Sequence, residues 1–427
     1  MGGFCHPFFI YLQILISFIM KRSFFSLLLA VICVLISAQS CTQEKNAKYV
    51  FYFIGDGMGF SHISLTEGYL ATQEGKIGNS PLCFSQFPVM GMATSYSANR
   101  YITCSSAAGT ALATGSKTNN GMLGVTPDSS NLVSIAYKIH NAGFPVGVTT
   151  SVTIDHATPA SFYANSVARS DYYSIAEQLA SSGFEFFGGG GFYGAKDRRE
   201  QEKSLYDIAS EAGYEFAYGV DEYHMKKDGT EKMILFQKGD KKNSDLPYVQ
   251  ERVEGDLELP QVVESAIDFL NNEDGFFLMV EGGKIDWAAH SNDLAGTVFE
   301  MLDFDRAVAV AYEFYKQHPE ETLIVVTADH ETGGVTLGRE KGYVYDLSVV
   351  VPSGKRNGED GTDVSNYMSG VSVDSLSKVA KIGWTTTSHT GGAVPVFAIG
   401  AGSGMFAGRQ DNTDIPEKIC RAMGVKF

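Results

Sequence analysis

The chain contains 427 residues, of which 44% are apolar and 19% are charged. This composition excludes an intrinsically disordered protein, because the apolar content is sufficient for a large folded core. The 49 acidic residues outnumber the 33 basic ones and give a formal net charge of −16. This balance, without a basic stripe in the sequence, argues against a nucleic-acid partner.

The beginning of the chain has the composition of an export signal. Two apolar runs occupy residues 7–19 and 24–37, and each is shorter than the roughly 20 residues that a membrane-spanning helix needs. The second run follows Met20, Lys21 and Arg22. A basic start, an apolar stretch and then small residues are typical of a secretory signal. We interpret Met20 as the start of translation, with a genuine longer leader as the alternative.

The signal ends at a motif that favours lipid attachment. Ala38-Gln39-Ser40-Cys41 resembles a bacterial lipoprotein cleavage box, with Gln39 as a loose match. We expect an exported protein of the periplasm or cell envelope, with residues 1–40 as a leader and Cys41 as its lipid anchor. Ordinary cleavage near Ser40 and an uncleaved membrane anchor are the alternatives.

Few cysteines follow the leader. Besides Cys41, the sequence after the leader contains only Cys83, Cys104 and Cys420, since Cys5 and Cys33 lie within the leader. Such an exported protein is not a disulfide scaffold, and these three residues allow at most one bridge, whose partners the spacing does not select.

Short apolar runs alternate with helical patterns along the rest of the chain. The runs are rich in Val, Ile and Phe without polar alternation, as in strands that are buried on both faces. We predict strands at Tyr49–Ile54, Pro145–Thr150, Phe276–Val280, Leu323–Thr327 and Val394–Ile399. We predict helices at residues 59–71, 105–114, 131–142, 171–181, 259–272 and 293–317.

This alternation predicts an α/β fold with a central, mostly parallel sheet and helices on both faces. Residues 338–385 interrupt it, since they are rich in Gly, Ser, Asp and Lys and have little helical period. We interpret them as a small insertion at the end of the sheet where ligands bind, and residues 41–427 as a single domain.

Potential metal ligands follow three of the predicted strands. Asp56 follows the first strand, Glu281 the third, and Asp329 and His330 the fourth. Ligands of open α/β sheets bind beyond the carboxyl ends of the strands, so we expect these side chains to meet. A lone carboxylate at a strand end is more often a cap or turn residue, but three such ends together favour a metal site.

Histidines strengthen this interpretation. Asp286 and His290 lie four positions apart and therefore on one helix face. His389 lies just before the last predicted strand. Mixed histidine and carboxylate ligands suit Zn²⁺, whereas oxygen ligands alone suit Mg²⁺. Four of the nine histidines lie in these groups or in one further polar segment: His156, His290, His330 and His389.

A candidate nucleophile begins a predicted helix. Ser105 follows Thr103 and Cys104 and precedes a run of small residues. Free backbone N–H groups at a helix N-terminus favour an anion. An ordinary N-cap serine is the alternative, and this segment alone favours that alternative.

Six motifs, in order, resemble those of the alkaline phosphatases over residues 47–424. They are FIGDGMG, ITCSSAAGTALATGSKTNNGMLGV, HATPASFYANSVAR, VEGGKIDWAAH, TADHETGG and SHTGG. The resemblance implies that residues 41–427 form an alkaline phosphatase catalytic domain. It also implies hydrolysis of small phosphate monoesters through a phosphoserine intermediate, with two Zn²⁺ and one Mg²⁺ as cofactors. The family is commonly homodimeric.

The resemblance also implies a role for each site residue. Ser105 is the phosphorylated serine, and Arg169 clamps the phosphate. The implied ligands are Asp56, Asp329 and His330 for one zinc, Asp286, His290 and His389 for the other, and Asp56, Thr158 and Glu281 for magnesium.

Three residues depart from the family pattern. Cys104 stands where many members have Asp. In those members the Asp helps to orient the arginine, so it is open whether Arg169 has the corresponding contact here. His156 replaces an Asp and Trp287 a Lys of the enteric bacterial type. We expect both to lie beside the magnesium site without being ligands, and they leave its occupancy open.

Other functions fit the sequence less well. Residues 189–194 satisfy G-x-G-x-x-G, but basic residues follow where a ribose-binding acid is expected, which disfavours a nucleotide cofactor. The run after Cys104 lacks the Pro and Arg of a sulfatase motif. A phosphodiesterase of the same superfamily is the nearest alternative, and a phosphate- or metal-binding surface lipoprotein without turnover is another.

The expected lipid anchor can be tested directly. Cys41→Ser removes the thiol that would carry the lipid, so this variant should leave the membrane fraction as active enzyme. Labelled fatty acid should mark only the wild type. Fractionation and label incorporation measure the two effects, and unchanged partitioning without label on either protein would contradict lipidation.

Overall fold

A computed structural model describes residues 46–195, 203–238, 245–350 and 371–427. Residues 46–427 form one compact unit. The expected leader at residues 1–40 and the expected anchor Cys41 lie outside the described residues. Within the described ranges, no helix is long and apolar enough to cross a membrane.

The chain alternates strands and helices over most of its length. The strands are β1 (Tyr49–Gly55), β2 (Val89–Thr94), β3 (Val146–Thr153), β4 (Phe186–Gly190), β5 (Tyr214–Tyr218), β6 (Lys232–Phe236), β7 (Phe276–Gly282), β8 (Thr322–Thr327), β9 (Glu331–Thr332), β10 (Val335–Leu337), β11 (Ile382–Trp384), β12 (His389–Thr390), β13 (Val394–Gly400) and β14 (Gly408–Asp411). The helices are α1 (Phe60–Gln73), α2 (Ser105–Thr114), α3 (Ile135–Asn141), α4 (Ala157–Ala160), α5 (Tyr172–Ser182), α6 (Leu205–Glu211), α7 (Val220–Lys226), α8 (Leu259–Leu270), α9 (Lys284–His290), α10 (Leu294–Gln317), α11 (Val371–Ala380) and α12 (Asp414–Met423).

A ten-stranded sheet has the order β14-β2-β13-β8-β1-β7-β3-β4-β6-β5. Its strand pairs are parallel except that β13 runs antiparallel to β2 and β8. Every residue of β1, β7 and β8 is buried, as expected for strands covered on both faces. The predicted α/β fold class is confirmed.

The five predicted strands and six predicted helices are present, with bounds that differ by a few residues. The helix predicted from residue 131 begins later, because the Ser134 hydroxyl caps it by accepting from the Tyr137 backbone N–H at 3.4 Å. The elements that the sequence did not reveal are β2, β4, β5, β6, the short strands β9, β10, β11 and β12, β14, and most of the shorter helices. Several span only four to seven residues, too few for a clear period.

The segment interpreted as an insertion is partly described. It contains β11 and α11, and β11 pairs with β10 in a separate small sheet. Its residues 351–370 lie outside the described part of the chain. The three cysteines that follow the anchor position are all free.

The parallel register brings three chain segments to one edge of the sheet. Ile54 of β1 lies opposite Glu281 of β7 and Thr327 of β8. Residues that directly follow these positions therefore emerge at the same carboxyl edge. This register brings together polar residues that are distant in the sequence. Asp56 and Asp329, for example, are more than 270 positions apart.

Candidate active site

The turn after β1 begins the site. Gly57 has φ +77°, and a Cβ there would lie 2.9 Å from both the Asp286 Cα and the Thr332 Oγ1. Its backbone N–H donates to Asp329 Oδ1 at 3.1 Å, and its carbonyl accepts from the Thr332 N–H at 3.1 Å. Only glycine fits this position without displacing the neighbouring segments.

Asp56, Asp329 and His330 form the first group of potential ligands. One ligand atom from each lies within 4.8 Å of the others, and all three residues are fully buried. His330 Nε2 lies 3.1 Å from Asp329 Oδ2 and 3.5 Å from Asp56 Oδ1. The Ser105 Oγ is 3.4 Å from the same His330 Nε2, so the candidate nucleophile lies against this group.

Asp286, His290 and His389 form the second group. His290 Nε2 lies 3.3 Å from Asp286 Oδ2 and 3.1 Å from His389 Nε2, and His389 Nε2 lies 3.6 Å from Asp286 Oδ1. The Nδ1 atoms of His290 and His389 face the carbonyls of Thr387 and Thr103 at 2.7 Å and 2.9 Å. A proton on each Nδ1 leaves Nε2 free for a cation.

The two groups are in contact. The rings of His330 and His389 stack with centroids 3.5 Å apart. Ligand atoms of Asp286, His330 and His389 also lie within 4.8 Å of one another. Two ligand groups in contact are what a two-ion site requires, because its ions lie only about 3.5–4 Å apart and share one reaction centre.

Asp56, His156 and Glu281 form a third group, again with ligand atoms within 4.8 Å. The buried Thr158 Oγ1 and Glu281 Oε1 have no hydrogen-bond partner among the described residues, whereas Thr150 donates to Glu281 Oε2. The sequence placed His156 beside this site, whereas the structure brings its ring into the group itself.

Two neighbours border the His156 ring. The Trp287 ring lies 5.6 Å from it between centroids, in an edge-to-face arrangement. Arg169 Nη2 lies 3.5 Å from His156 Nε2. The predicted phosphate clamp therefore extends towards the third group.

The buried carboxylates of these groups suit cations. Burial raises the pKa of Asp56 and of Asp329, and the charge of Asp286 adds to both shifts. Burial also raises the pKa of Glu281 to about 7. Among the described residues, none donates a hydrogen bond to either carboxylate oxygen of Asp56 or to Asp329 Oδ2. Because unpartnered buried charges are costly, this arrangement fits bound metal ions.

Ser105 is the first residue of α2, and Cys104 precedes it in an extended conformation. The Cys104 Sγ accepts from the Gly121 backbone N–H at 3.2 Å, and the Gly121 carbonyl accepts from the Arg169 backbone N–H at 2.8 Å. The thiol therefore supports the backbone that carries Arg169. Burial raises the pKa of Cys104, but hydrogen bonds from Ser106 and two backbone amides outweigh it and lower the pKa overall.

The glycine-rich motif at residues 189–194 has a structural role. The N–H groups of Tyr193 and Gly194 donate to the Asp155 carboxylate at 3.0 Å and 2.7 Å. These amides are therefore occupied, and the motif does not present them to a phosphate.

Sequence reasoning missed two buried residues near the ligands, one of which contacts a ligand directly. Thr332 donates to Asp286 Oδ1 at 2.5 Å. Lys284, at the start of α9, is buried, and its Nζ lies 2.7 Å from Asp245 Oδ2. Thr332 follows His330 by two positions, and in a strand-like segment this spacing could have indicated that both side chains lie on the same face. The contact of Lys284 with Asp245 has no comparable signal in the local sequence.

Comparison with known proteins identifies the family. A family model described as alkaline phosphatase matches residues 47–425. The chain belongs to the alkaline phosphatase family. Its members are metal-dependent phosphoric monoester hydrolases, so the enzyme class predicted from the sequence is confirmed.

Individual relatives agree with this assignment. Alkaline phosphatase 3 of Bacillus subtilis is 32% identical over 431 residues, which cover 89% of this chain and 90% of the relative. The structure of alkaline phosphatase from the Antarctic bacterium TAB5 is 29% identical and covers 90% of this chain and 100% of its own, with a TM-score of 0.74. A histidine-to-aspartate mutant of that enzyme, with magnesium bound in its metal site number three, matches over the same shares at 29% identity and a TM-score of 0.73.

The crowding around Gly57 predicts a defect in activity. Gly57→Ala should lower hydrolysis of an aryl phosphate by about 100-fold, because the added Cβ displaces Asp286 and Thr332. Gly75→Ala is the matched control, since Gly75 has φ +71° but no heavy atom within 4 Å of an added Cβ. Both variants carry about 1 kcal/mol of backbone strain, so equal activities in a steady-state assay would contradict the crowding argument.

Proposed function

We propose that this alkaline phosphatase transfers the phosphoryl group of a small phosphate monoester first to Ser105 and then to water. The observation that carries the proposal is the position of the Ser105 Oγ, 3.4 Å from His330 Nε2 in a group of buried carboxylates. Ser105 is only 3% exposed and is the first residue of α2, whose N-cap position belongs to Cys104, so it is not an ordinary N-cap serine.

The three groups provide the ligands for three metal ions. We assign one Zn²⁺ to Asp56, Asp329 and His330, a second Zn²⁺ to Asp286, His290 and His389, and Mg²⁺ to Asp56, Thr158 and Glu281, with His156 and Trp287 beside it. When bound, these ions neutralise phosphoryl charge, lower the pKa of the serine hydroxyl and stabilise the leaving oxygen. Histidine donors in two groups and mainly oxygen donors in the third support this choice of metals.

In this proposal the reaction proceeds in two steps, with Ser105 as the nucleophile of the first. The Ser105 oxygen attacks phosphorus in line, the bond from phosphorus to the ester oxygen breaks, and the alcohol leaves with a proton. Water then cleaves the phosphoserine and regenerates the hydroxyl with release of inorganic phosphate. The Arg169 guanidinium binds two phosphoryl oxygens through its planar fork, and its backbone bond to Gly121 supports that position.

A phosphodiesterase is the alternative within the same superfamily. A monoester dianion has one more negative charge than a diester, so it gains more from a third cation. The third group, with two buried carboxylates from Asp56 and Glu281, therefore favours a monoesterase. Rates on aryl monoester and diester substrates under metal titration test this choice, and faster diester hydrolysis would overturn it. The export motifs support a periplasmic or cell-envelope location.

The assignment of the nucleophile predicts a contrast between adjacent serines. Ser105→Ala should lower turnover by several orders of magnitude and retain bound metal, because it removes the attacking oxygen and no ligand. Ser106→Ala should be mild, since within the described residues this buried hydroxyl has one hydrogen-bond partner, the Cys104 Sγ, at 3.2 Å. Steady-state rates and metal analysis of both variants measure the contrast. If Ser106→Ala were the inactive variant, the assignment would be wrong by one position.

The third metal site should be weak and exchangeable. A neutral His156 supplies no negative charge to the waters that Mg²⁺ retains, and it offers nitrogen that recruits Zn²⁺. Added Mg²⁺ should therefore activate freshly purified enzyme, and excess Zn²⁺ should lower its activity. The magnesium-bearing histidine-to-aspartate mutant of the TAB5 enzyme supports this expectation.

His156→Asp tests the same argument. The new carboxylate should lower the half-saturating Mg²⁺ concentration by about tenfold, with slower turnover at high pH. Magnesium titrations of both proteins measure the shift. Equal apparent affinities would mean that His156 does not control the site.

A further inference from the structure

Thr332 lies where the two proposed zinc groups meet. In the antiparallel pair of β9 and β12, Thr332 is opposite His389, a ligand of the second group. Its backbone N–H donates to the Gly57 carbonyl at 3.1 Å, directly after Asp56 of the first group. The side chain is fully buried. Thr332 is thus held by its backbone beside both groups.

Its hydroxyl contacts one residue from each group. The Thr332 Oγ1 lies 2.5 Å from Asp286 Oδ1 and 3.2 Å from His330 Nδ1. A carboxylate only accepts hydrogen bonds, so the hydroxyl hydrogen is donated to Asp286. The hydroxyl oxygen then accepts from the Nδ1–H of His330. Both bonds are satisfied only with the protons in these positions.

This arrangement determines the tautomer of His330. A neutral imidazole carries one N–H, and placing it on Nδ1 leaves a lone pair on Nε2. His330 Nε2 is the atom that faces Asp329 and the Ser105 Oγ, at 3.1 Å and 3.4 Å. The contact with Thr332 therefore prepares His330 as a ligand of the first group, and the donated hydrogen orients Asp286 in the second.

The other two histidines of the zinc groups differ in this respect. The Nδ1 atoms of His290 and His389 face backbone carbonyls of Thr387 and Thr103. Each of those contacts ends at a backbone carbonyl and therefore orients one ligand. The Nδ1 of His330 is instead joined through a hydroxyl to a ligand of the neighbouring group.

We propose that Thr332 is a positioning residue that couples the two zinc sites through the chain His330 Nδ1–H, Thr332 Oγ1–H and Asp286 Oδ1. A cation on His330 Nε2 strengthens the Nδ1–H as a donor, and the polarised hydroxyl holds Asp286 in place for the second cation. Occupation of either group therefore favours occupation of the other. This inference rests on the two-zinc site proposed above.

The test compares two substitutions in the full-length enzyme. Thr332→Val removes the hydroxyl and conserves the shape, whereas Thr332→Ser keeps the hydroxyl. Thr149→Val is a matched control, because Thr149 is also fully buried but donates to the Met279 carbonyl at 3.0 Å in the middle of the sheet. Competition of metal-depleted protein with a chromogenic chelator for Zn²⁺ gives the two stepwise binding constants without an activity assay.

Thr332→Val should weaken both zinc constants by about 10- to 100-fold, the usual effect of losing a partner that orients a metal ligand. Thr332→Ser and Thr149→Val should bind both ions as the wild type does. Three outcomes would overturn the coupling and leave the two-zinc site intact. They are wild-type binding constants in Thr332→Val, a weakening of only one constant in that variant, and an equal defect in Thr332→Ser. A wild-type enzyme that binds fewer than two zinc ions would overturn the two-zinc site, and the coupling with it.

Discussion

The mutual repulsion of buried carboxylates is the constraint on which the rest of this site depends. Asp56 lies in two of the three ligand groups, and the charges of Asp329, Asp286 and Glu281 all raise its pKa beyond the effect of burial. Without cations such a cluster opposes folding, since several unpaired charges share one dry pocket. The same cluster concentrates positive charge when metal is bound, as an enzyme acting on a phosphoryl dianion requires.

The sheet makes this unfavourable cluster tolerable. The central strands β1, β7 and β8 are buried throughout, and their apolar packing stabilises a rigid edge from which the acidic residues extend. Gly57 lets two segments approach that edge closely. The backbone therefore determines where the ligand side chains lie and leaves them few alternative conformations. Fixed positions of this kind are the condition for preorganised electrostatic catalysis.

Two departures from the family pattern have different physical consequences. Among the hydrogen bonds of the described residues, none joins Cys104 to the Arg169 guanidinium, but Cys104 supports Arg169 through the Gly121 backbone. His156 introduces a nitrogen donor into the third group next to Asp56 and Glu281. The first change supports the backbone at Arg169, whereas the second is the basis of our proposal that the third group holds Mg²⁺ weakly.

The sequence by itself determined the family, the α/β class, the central strands and the residues proposed for the metal groups, because buried parallel strands and the motifs after them are local patterns. The tertiary structure decided what depends on distant contacts. It brought His156 into the third group and joined Thr332 to Asp286, and it used the glycine-rich motif to bind Asp155. These outcomes depend on the register of the sheet and on which loops lie close together in the fold. Both pair residues that are far apart in the chain, so the sequence carries no periodic signal for them.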